Sequence, residues 1–212
     1  QVGGFSAESN MEIRPLQELK GRTVEIDRQW VVNPDAESLV SVATRQENHL
    51  VVNNDISDAG IAVQTCGISI NHVIAGNKCA RAGGFRAMGL NYGGVQPTWF
   101  CQFLANEIVE GNGGVARSAN FTPSDSLLAV VGQELPGVDV AMARCTVARR
   151  NHLHSNARVE LTGTVRDAVV ELNTIENARV GIVVEDTVAG ALVRENRFVN
   201  VRKPLVKTGP RK

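Results

Sequence analysis

The sequence predicts an all-β solenoid of short parallel strands. One reason is an echo: Val170, Glu171, Leu172, Asn173, Thr174, Ile175, Glu176, Asn177 returns as Val193, Arg194, Glu195, Asn196, Arg197, Phe198, Val199, Asn200, offset by 23 residues. A second is that the same asparagine register runs backwards through the chain. Asn54, Asn77, Asn106 and Asn151 each have an apolar residue two positions later (Ile56, Cys79, Ile108, Leu153), and three positions before Asn54 through Asn196 stand Val51, Ile74, Phe103, Ala148, Val170 and Val193. The third is spacing. A period of 23 residues holds short strands and turns but not a strand, a crossover helix and a second strand, so successive coils must stack by winding.

Apolar positions alternate across a kink at each asparagine, which fits no helical period. Asparagine suits such a corner for two reasons: it tolerates left-handed backbone, and stacked copies hydrogen-bond in a ladder. Asn33 is a weaker first member of the series. On these residues, from about 23 to 209, the coils resemble the right-handed parallel β-helix of the pectate-lyase-like superfamily. The resemblance implies the right hand and three strands per coil, with an asparagine corner between the second and third. The expected architecture is an all-β, single-stranded right-handed parallel β-helix (solenoid) of about seven coils with two inserted loops. It occupies 23–209, after an N-terminal extension or partial cap at 1–22 and before a tail at 210–212.

At 212 residues the chain can bury a sizeable core in one elongated domain. The 22 basic and 22 acidic residues balance, which gives no electrostatic case for nucleic acid or a membrane surface as partner. No apolar run approaches the roughly 18 residues of a membrane span, and none resembles a signal peptide. The opening Gln1, Val2, Gly3, Gly4 suits a processed or truncated product. Solenoids need capped ends, and the amino end offers only a short helix at 15–20, so a cap or further coils are expected before Gln1. Cys66, Cys79, Cys101 and Cys145 have no C-x-x-C spacing, which argues against a zinc site built on thiolates and for small buried apolar residues.

Taken in order, the first-sheet strands are predicted at 39–44, 60–65, 85–91, 138–142, 158–162, 181–185 and 204–207. Second-sheet strands precede the asparagines at 49–53, 69–75, 99–105 and 146–150. Two interruptions fall at 91–98, rich in glycine and proline, and at 110–137. They lie on opposite borders of the first sheet over neighbouring coils, and would wall a groove.

Alternation along the strands points Asp139, Arg158, Glu160, Val183 and Glu185 outward on the first sheet, with Arg86 and Met88 outward one coil earlier. Coils stack about 4.8 Å apart, so Asp139 and Glu160 are expected side by side with Arg86 near them. Two close carboxylates repel, which raises one pKa and leaves an acid beside an anion. A separation of about 5 Å suits a retaining or intramolecular mechanism on a glycosidic bond. Arg86 would bind an acidic sugar or stabilise developing negative charge, and Tyr92 and Trp99 would stack on sugar faces. The competing expectation is that these charges are solvated and their exposed pairs contribute little.

Histidines fall in two pairs. His49 and His72 each stand five residues before their asparagine and should stack on successive coils. His152 and His154 flank inward Leu153 and face outward beside Arg149 and Arg150, as a solvated basic face or an anion contact. No cofactor is expected. Calcium, used by many lyases of this architecture, needs converging carboxylates, for which Asp55, Asp58, Glu107 and Glu110 at third-sheet corners are the candidates.

The expected function is that of a carbohydrate-active enzyme, a polysaccharide lyase or a glycosidase or fructan transferase, acting on a polysaccharide along the first sheet. Asp139, Glu160 and Arg86 would be catalytic, with Tyr92, Trp99, Arg158 and Glu185 binding substrate. A secreted or periplasmic location goes with such a substrate. The alternative is a noncatalytic carbohydrate-binding or tail-fibre-like structural β-helix, for which a homotrimer is the expected assembly.

Overall fold

The computed structural model of the chain describes residues 23–26, 29–32, 42–43, 45–57, 59, 61–65, 68–91, 95–110, 127–133 and 142–209. Its shape is set by corners. Asn48 and Asn53, Asn71 and Gly76, Phe100 and Ala105, Cys145 and Arg150, Asp167 and Leu172, and Gly190 and Glu195 all have φ between 51° and 68°. Each pair brackets one strand of a six-stranded parallel sheet, the second sheet: Leu50–Val52, Val73–Ala75, Gln102–Leu104, Val147–Arg149, Val169–Glu171 and Leu192–Arg194. The left-handed residue is therefore the one before each ladder asparagine, not the asparagine itself. Arginine, leucine or glutamate in that backbone costs about 1–2 kcal/mol. The cost is offset because the corner amides bond to the next coil, as Ala105 N–H does to Arg149 O at 3.0 Å.

What asparagine contributes is the ladder. The Asn54 backbone N–H and Nδ2 donate to Asn77 Oδ1 at 3.0 and 2.9 Å, and the pattern repeats from Asn77 to Asn106, Asn106 to Asn151, Asn151 to Asn173 and Asn173 to Asn196. Each Nδ2 from Asn77 to Asn196 also reaches a carbonyl of the preceding coil: Val51, Ile74, Phe103, Ala148 and Val170. Asn77, Asn106, Asn151 and Asn173 are buried. Six asparagines thus lie along one edge, and the coils stack by that edge.

After each asparagine the chain enters the third sheet through Asp55–Ser57, Lys78–Ala80, Glu107–Glu110, His152–Leu153 and the first halves of Thr174–Glu185 and Arg197–Thr208. It continues into the first sheet through Val63–Thr65, Gly84–Asn91, Leu127–Gly132, Arg158–Gly163 and the second halves of the same two long strands. A further five-stranded parallel sheet, Arg45–Glu47, Ile68–Ile70, Thr98–Trp99, Ala143–Arg144 and Val165–Arg166, leads back to the second sheet. The expected second-sheet runs 69–75 and 99–105 are in consequence each broken in two, at left-handed Asn71 and Phe100. Among the described residues there is no helix, and the parallel, curled sheets form an all-β solenoid compatible with a parallel β-helix.

The core is filled in rows, one residue per coil from each wall. Phe85, Leu128, Val159 and Ile182 come from the first sheet, Ile74, Phe103, Ala148 and Val170 from the second, and Cys79, Ile108, Leu153 and Ile175 from the third, all at most 1 % exposed. Each large member contributes about 1.5–3 kcal/mol on burial. The residues three before and two after the asparagines are thus inward, as the sequence predicts.

Two expected strands are placed differently. Val42–Ala43 pairs antiparallel with Gln29–Val32, which pairs antiparallel with Thr23–Ile26, so it does not join the first sheet as the expected strand 39–44 would. The first-sheet strand between Gly84–Asn91 and Arg158–Gly163 is Leu127–Gly132, drawn from within the expected excursion 110–137, and not 138–142. Glycine explains the choice. Gly89, Gly132 and Gly163 stand in one row. A Cβ on Gly163, whose φ is +73°, would lie 1.8 Å from Gly132 O, and one on Gly132 would lie 2.6 Å from Thr164 O. The close exit of the strand tolerates no side chain there, and 138–142 contains no glycine. Asn33, Asp58 and the expected helix at 15–20 lie outside the described residues.

Candidate functional site: the outer face of the first sheet

Phe85, Ala87, Val159, Leu161 and Ile182 belong to the core, so alternation turns Arg86, Glu160 and Val183 outward. Pairing in register builds one outward row across the coils: Gln64, Arg86, Ala129, Glu160, Val183, Val206. Arg86, Ala129 and Glu160 are nevertheless only 7, 3 and 4 % exposed.

Inside this row the charges are paired. Arg158 Nε and Nη2 each lie 2.7 Å from Glu160 Oε1. Ala129 offers only a methyl group between Arg86 and Glu160, which leaves the long guanidinium room to act across it. Burial pushes the Arg86 pKa down, and the Glu160 charge opposes that shift. Arg86 Nη2 also donates to Gly83 O at 3.5 Å. Glu185 is buried at 5 % and its Oε2 accepts the Gly163 N–H at 2.6 Å, holding the glycine corner.

The expected carboxylate pair does not form in this row. Glu160 has Ala129 on one side and Val183 on the other, because Leu127–Gly132 takes the place expected for 138–142. Asp139 and Tyr92 lie outside the described residues. Trp99 is half-buried on the five-stranded sheet beside Ile70 and Arg144. It faces opposite to its neighbour Thr98, which is buried and donates to Met88 O at 3.0 Å. What the row offers is one buried carboxylate beside two guanidinium groups, a charge cluster with a net positive sign.

The second sheet presents a different face. Its inward row is Val51, Ile74, Phe103, Ala148, Val170, Val193, and its outward rows are Leu50, Val73, Gln102, Val147, Val169, Leu192 and Val52, Ala75, Leu104, Arg149, Glu171, Arg194. The strands Leu-Val-Val and Val-Ile-Ala are apolar on both sides, the pattern of a sheet covered on both faces. Leu50 is 67 % and Leu192 42 % exposed. A hollow of about 560 Å³ lies over the row from Gln102 to Leu192, lined by Gln102, Leu104, Val147, Val169 and Leu192 together with Arg149, Glu171 and Arg194. There Glu171 bridges coils: Arg194 Nε lies 2.7 Å from its Oε2 and Arg149 Nε 2.6 Å from its Oε1, with Arg149 Nη2 also on Oε1. Bonds from Arg194 and then Arg149 hold its carboxyl below the ordinary carboxylate range. The signal for this face was present in the sequence as the unalternated runs 50–52 and 73–75.

Comparison of the chain with protein-family models, with curated proteins and with solved structures finds no match.

Proposed function

We propose that the chain is a noncatalytic structural β-helix module that assembles side by side with copies of itself through the second sheet. The observation that carries this is the outward row from Leu50 to Leu192, apolar at five of its six positions and interrupted by Gln102, which crosses six stacked strands and is therefore about 24 Å long at about 4.8 Å per strand. An apolar surface of that extent marks a contact. The row runs along the solenoid axis, so parallel copies arranged around a common axis each bury it, and a cyclic assembly closes without leaving an open stripe. A homotrimer is the expected order. We take the winding as right-handed, as the resemblance to the pectate-lyase-like superfamily implies, and the coils as about seven, as the strand spacing along the sequence suggests. Sedimentation equilibrium of the native chain should give three times the chain mass, and Val147→Asp combined with Val169→Asp should give the mass of one chain with an unchanged far-ultraviolet spectrum. A native chain that sediments as a monomer at every concentration would refute the proposal.

A second reading, a carbohydrate-active β-helix, is favoured by one observation. The segments 111–126 and 134–141 flank the same first-sheet strand, Leu127–Gly132, and 92–94 follows the strand beside it, so the chain's interruptions gather at the first sheet. A polysaccharide laid there meets Arg158, with Arg86 and Glu160 buried behind it, an arrangement better suited to gripping an acidic sugar than to acid and base work, since the one buried carboxylate is engaged with Arg158. A polysaccharide panel with Glu160→Gln and Asp139→Asn tests it: cleavage lost in either variant restores the enzymatic reading, while binding without cleavage that weakens in Arg86→Ala supports the gripping one.

A further inference from the structure

The third sheet carries two imidazoles that neither proposal uses. Leu153 is fully buried, so alternation puts His152 and His154 on the same outer face, with ring centroids 3.8 Å apart. Glu107 stands beside His152 from the preceding coil, and Thr174, paired with His152 from the following coil, brings Glu176 alongside His154. His154 Nε2 lies 3.6 Å from Glu107 Oε1, His152 Nε2 3.3 Å from Glu176 Oε1, and His154 Nδ1 3.5 Å from Glu176 Oε2. Both Nε2 atoms are buried and make no hydrogen bond.

These separations are longer than the roughly 2.7–2.9 Å of charge-assisted hydrogen bonds. The two that involve Nε2 atoms, 3.6 and 3.3 Å, are close to the edge, about 3.4 Å, of a tetrahedron whose nitrogen and oxygen ligands lie about 2.1 Å from a central zinc ion. One donor atom each from Glu107, His152 and His154 falls within 4.8 Å of the other two.

We propose that Glu107, His152 and His154 form a binding site for a divalent transition cation of the zinc class, with Glu176 closing it from the next coil. Imidazole donors favour such a cation, whereas calcium and magnesium take oxygen ligands. Glu176 Oε2 faces His154 Nδ1 at 3.5 Å, and a carboxylate there favours the Nδ1–H tautomer, which leaves the Nε2 lone pair for the cation; Glu176 Oε1, 3.3 Å from His152 Nε2, is the further oxygen next to the three donors. Lys78 approaches the other carboxylate oxygen of Glu107, at 4.0 Å from Oε2, leaving Oε1 to the cation. Because the donors come from three successive coils, a bound cation cross-links the stack, and loading should appear as added stability.

The test uses the untagged full chain with zinc ion as the only ligand, followed by calorimetric titration and thermal unfolding, with cobalt(II) absorption as a geometric probe. One equivalent per chain, a rise in Tm with zinc concentration and an intense tetrahedral cobalt spectrum are expected. His154→Gln and Glu107→Gln should each weaken zinc binding by about 100-fold or more, while His49→Asn leaves it unchanged. Glu107 is at the surface, so its variant carries the comparison should the histidine variant not fold. Absence of heat and of a Tm shift, a weak octahedral cobalt spectrum, or binding lost in His49→Asn but kept in His154→Gln would each overturn the proposal.

Discussion

Replacing Asn151 by alanine isolates what the ladder contributes. Asn151 Oδ1 accepts the Asn106 backbone N–H at 2.9 Å and Asn106 Nδ2 at 3.1 Å, while its own Nδ2 donates to Phe103 O and Asn173 Oδ1, both at 2.9 Å. Its backbone N–H keeps Asn173 Oδ1 in the variant. Truncation therefore orphans two donors on Asn106, which is 1 % exposed, and removes one donor from the Phe103 carbonyl. A buried polar group left unpaired costs about 1–3 kcal/mol, so Asn151→Ala should lose about 2–6 kcal/mol. That is a large share of the roughly 5–15 kcal/mol that hold an ordinary domain folded. Asn200→Ala is the comparison: Asn200 is exposed and its side chain makes one amide-to-amide bond, to Asn177 Oδ1 at 2.8 Å, while its left-handed φ of 53° suits alanine less well than asparagine, so it should cost about 1 kcal/mol. Urea unfolding followed by circular dichroism measures both. Equal losses in the two variants, or a loss below about 1 kcal/mol for Asn151→Ala, would show that the ladder accompanies the winding without stabilising it.

Acid should weaken the fold through His72. Burial first, and His49 second, lower its pKa from 6.5 to about 4, and its Nδ1 accepts the His49 N–H at 3.1 Å. Between those values the unfolded chain takes up a proton that the folded chain refuses, so stability is full above pH 6.5 and falls by about 3 kcal/mol as the pH drops to 4. His72→Asn, which keeps an acceptor, should lose that much less over the same window in denaturant titrations; identical acid losses would refute the assignment. Gly163→Ala should cost about 2–4 kcal/mol, because left-handed backbone and a Cβ directed at the Gly132 carbonyl add together, whereas Gly209→Ala, with open space around it, should leave Tm unchanged. Burial pushes the Cys79 thiol up to about 12 and raises that of Cys101, so a thiolate-directed reagent should label half-buried Cys145 well before either; peptide mass spectrometry that finds Cys79 labelled in the native protein would contradict its packing.

The winding was legible because it repeats. A side chain that must meet its own counterpart one coil later has to recur at the coil length, and Asn54 to Asn196, with Ile74, Phe103 and Ile108 around them, spell that period without reference to anything outside the chain. His49 and His72 were expected to stack for the same reason, and their rings lie 4.9 Å apart. The role of asparagine was only half legible: the sequence names the residue at the corner but not which neighbour carries the left-handed φ, because Gly76, Ala105, Arg150, Leu172 and Glu195 share no chemistry.

What only the tertiary structure decided lies where the repeat is interrupted. The run 127–132 is apolar throughout and 138–142 alternates, so either can face a core, and the glycine that one has and the other lacks matters only against its neighbours in the stack. The choice falls to hydrogen bonds with strands on both sides and to Gly132 fitting between Gly89 and Gly163, contacts set by residues far away in the chain. Glu160 accordingly lies beside Ala129, and the outer charges sit buried in a pair with Arg158. The cluster of Glu107, His152, His154 and Glu176 was hidden for the same reason: periodicity records which residues share a wall, while the side chains that meet on its outer face depend on the register in which separate coils hydrogen-bond, and that register is a property of the stacked molecule.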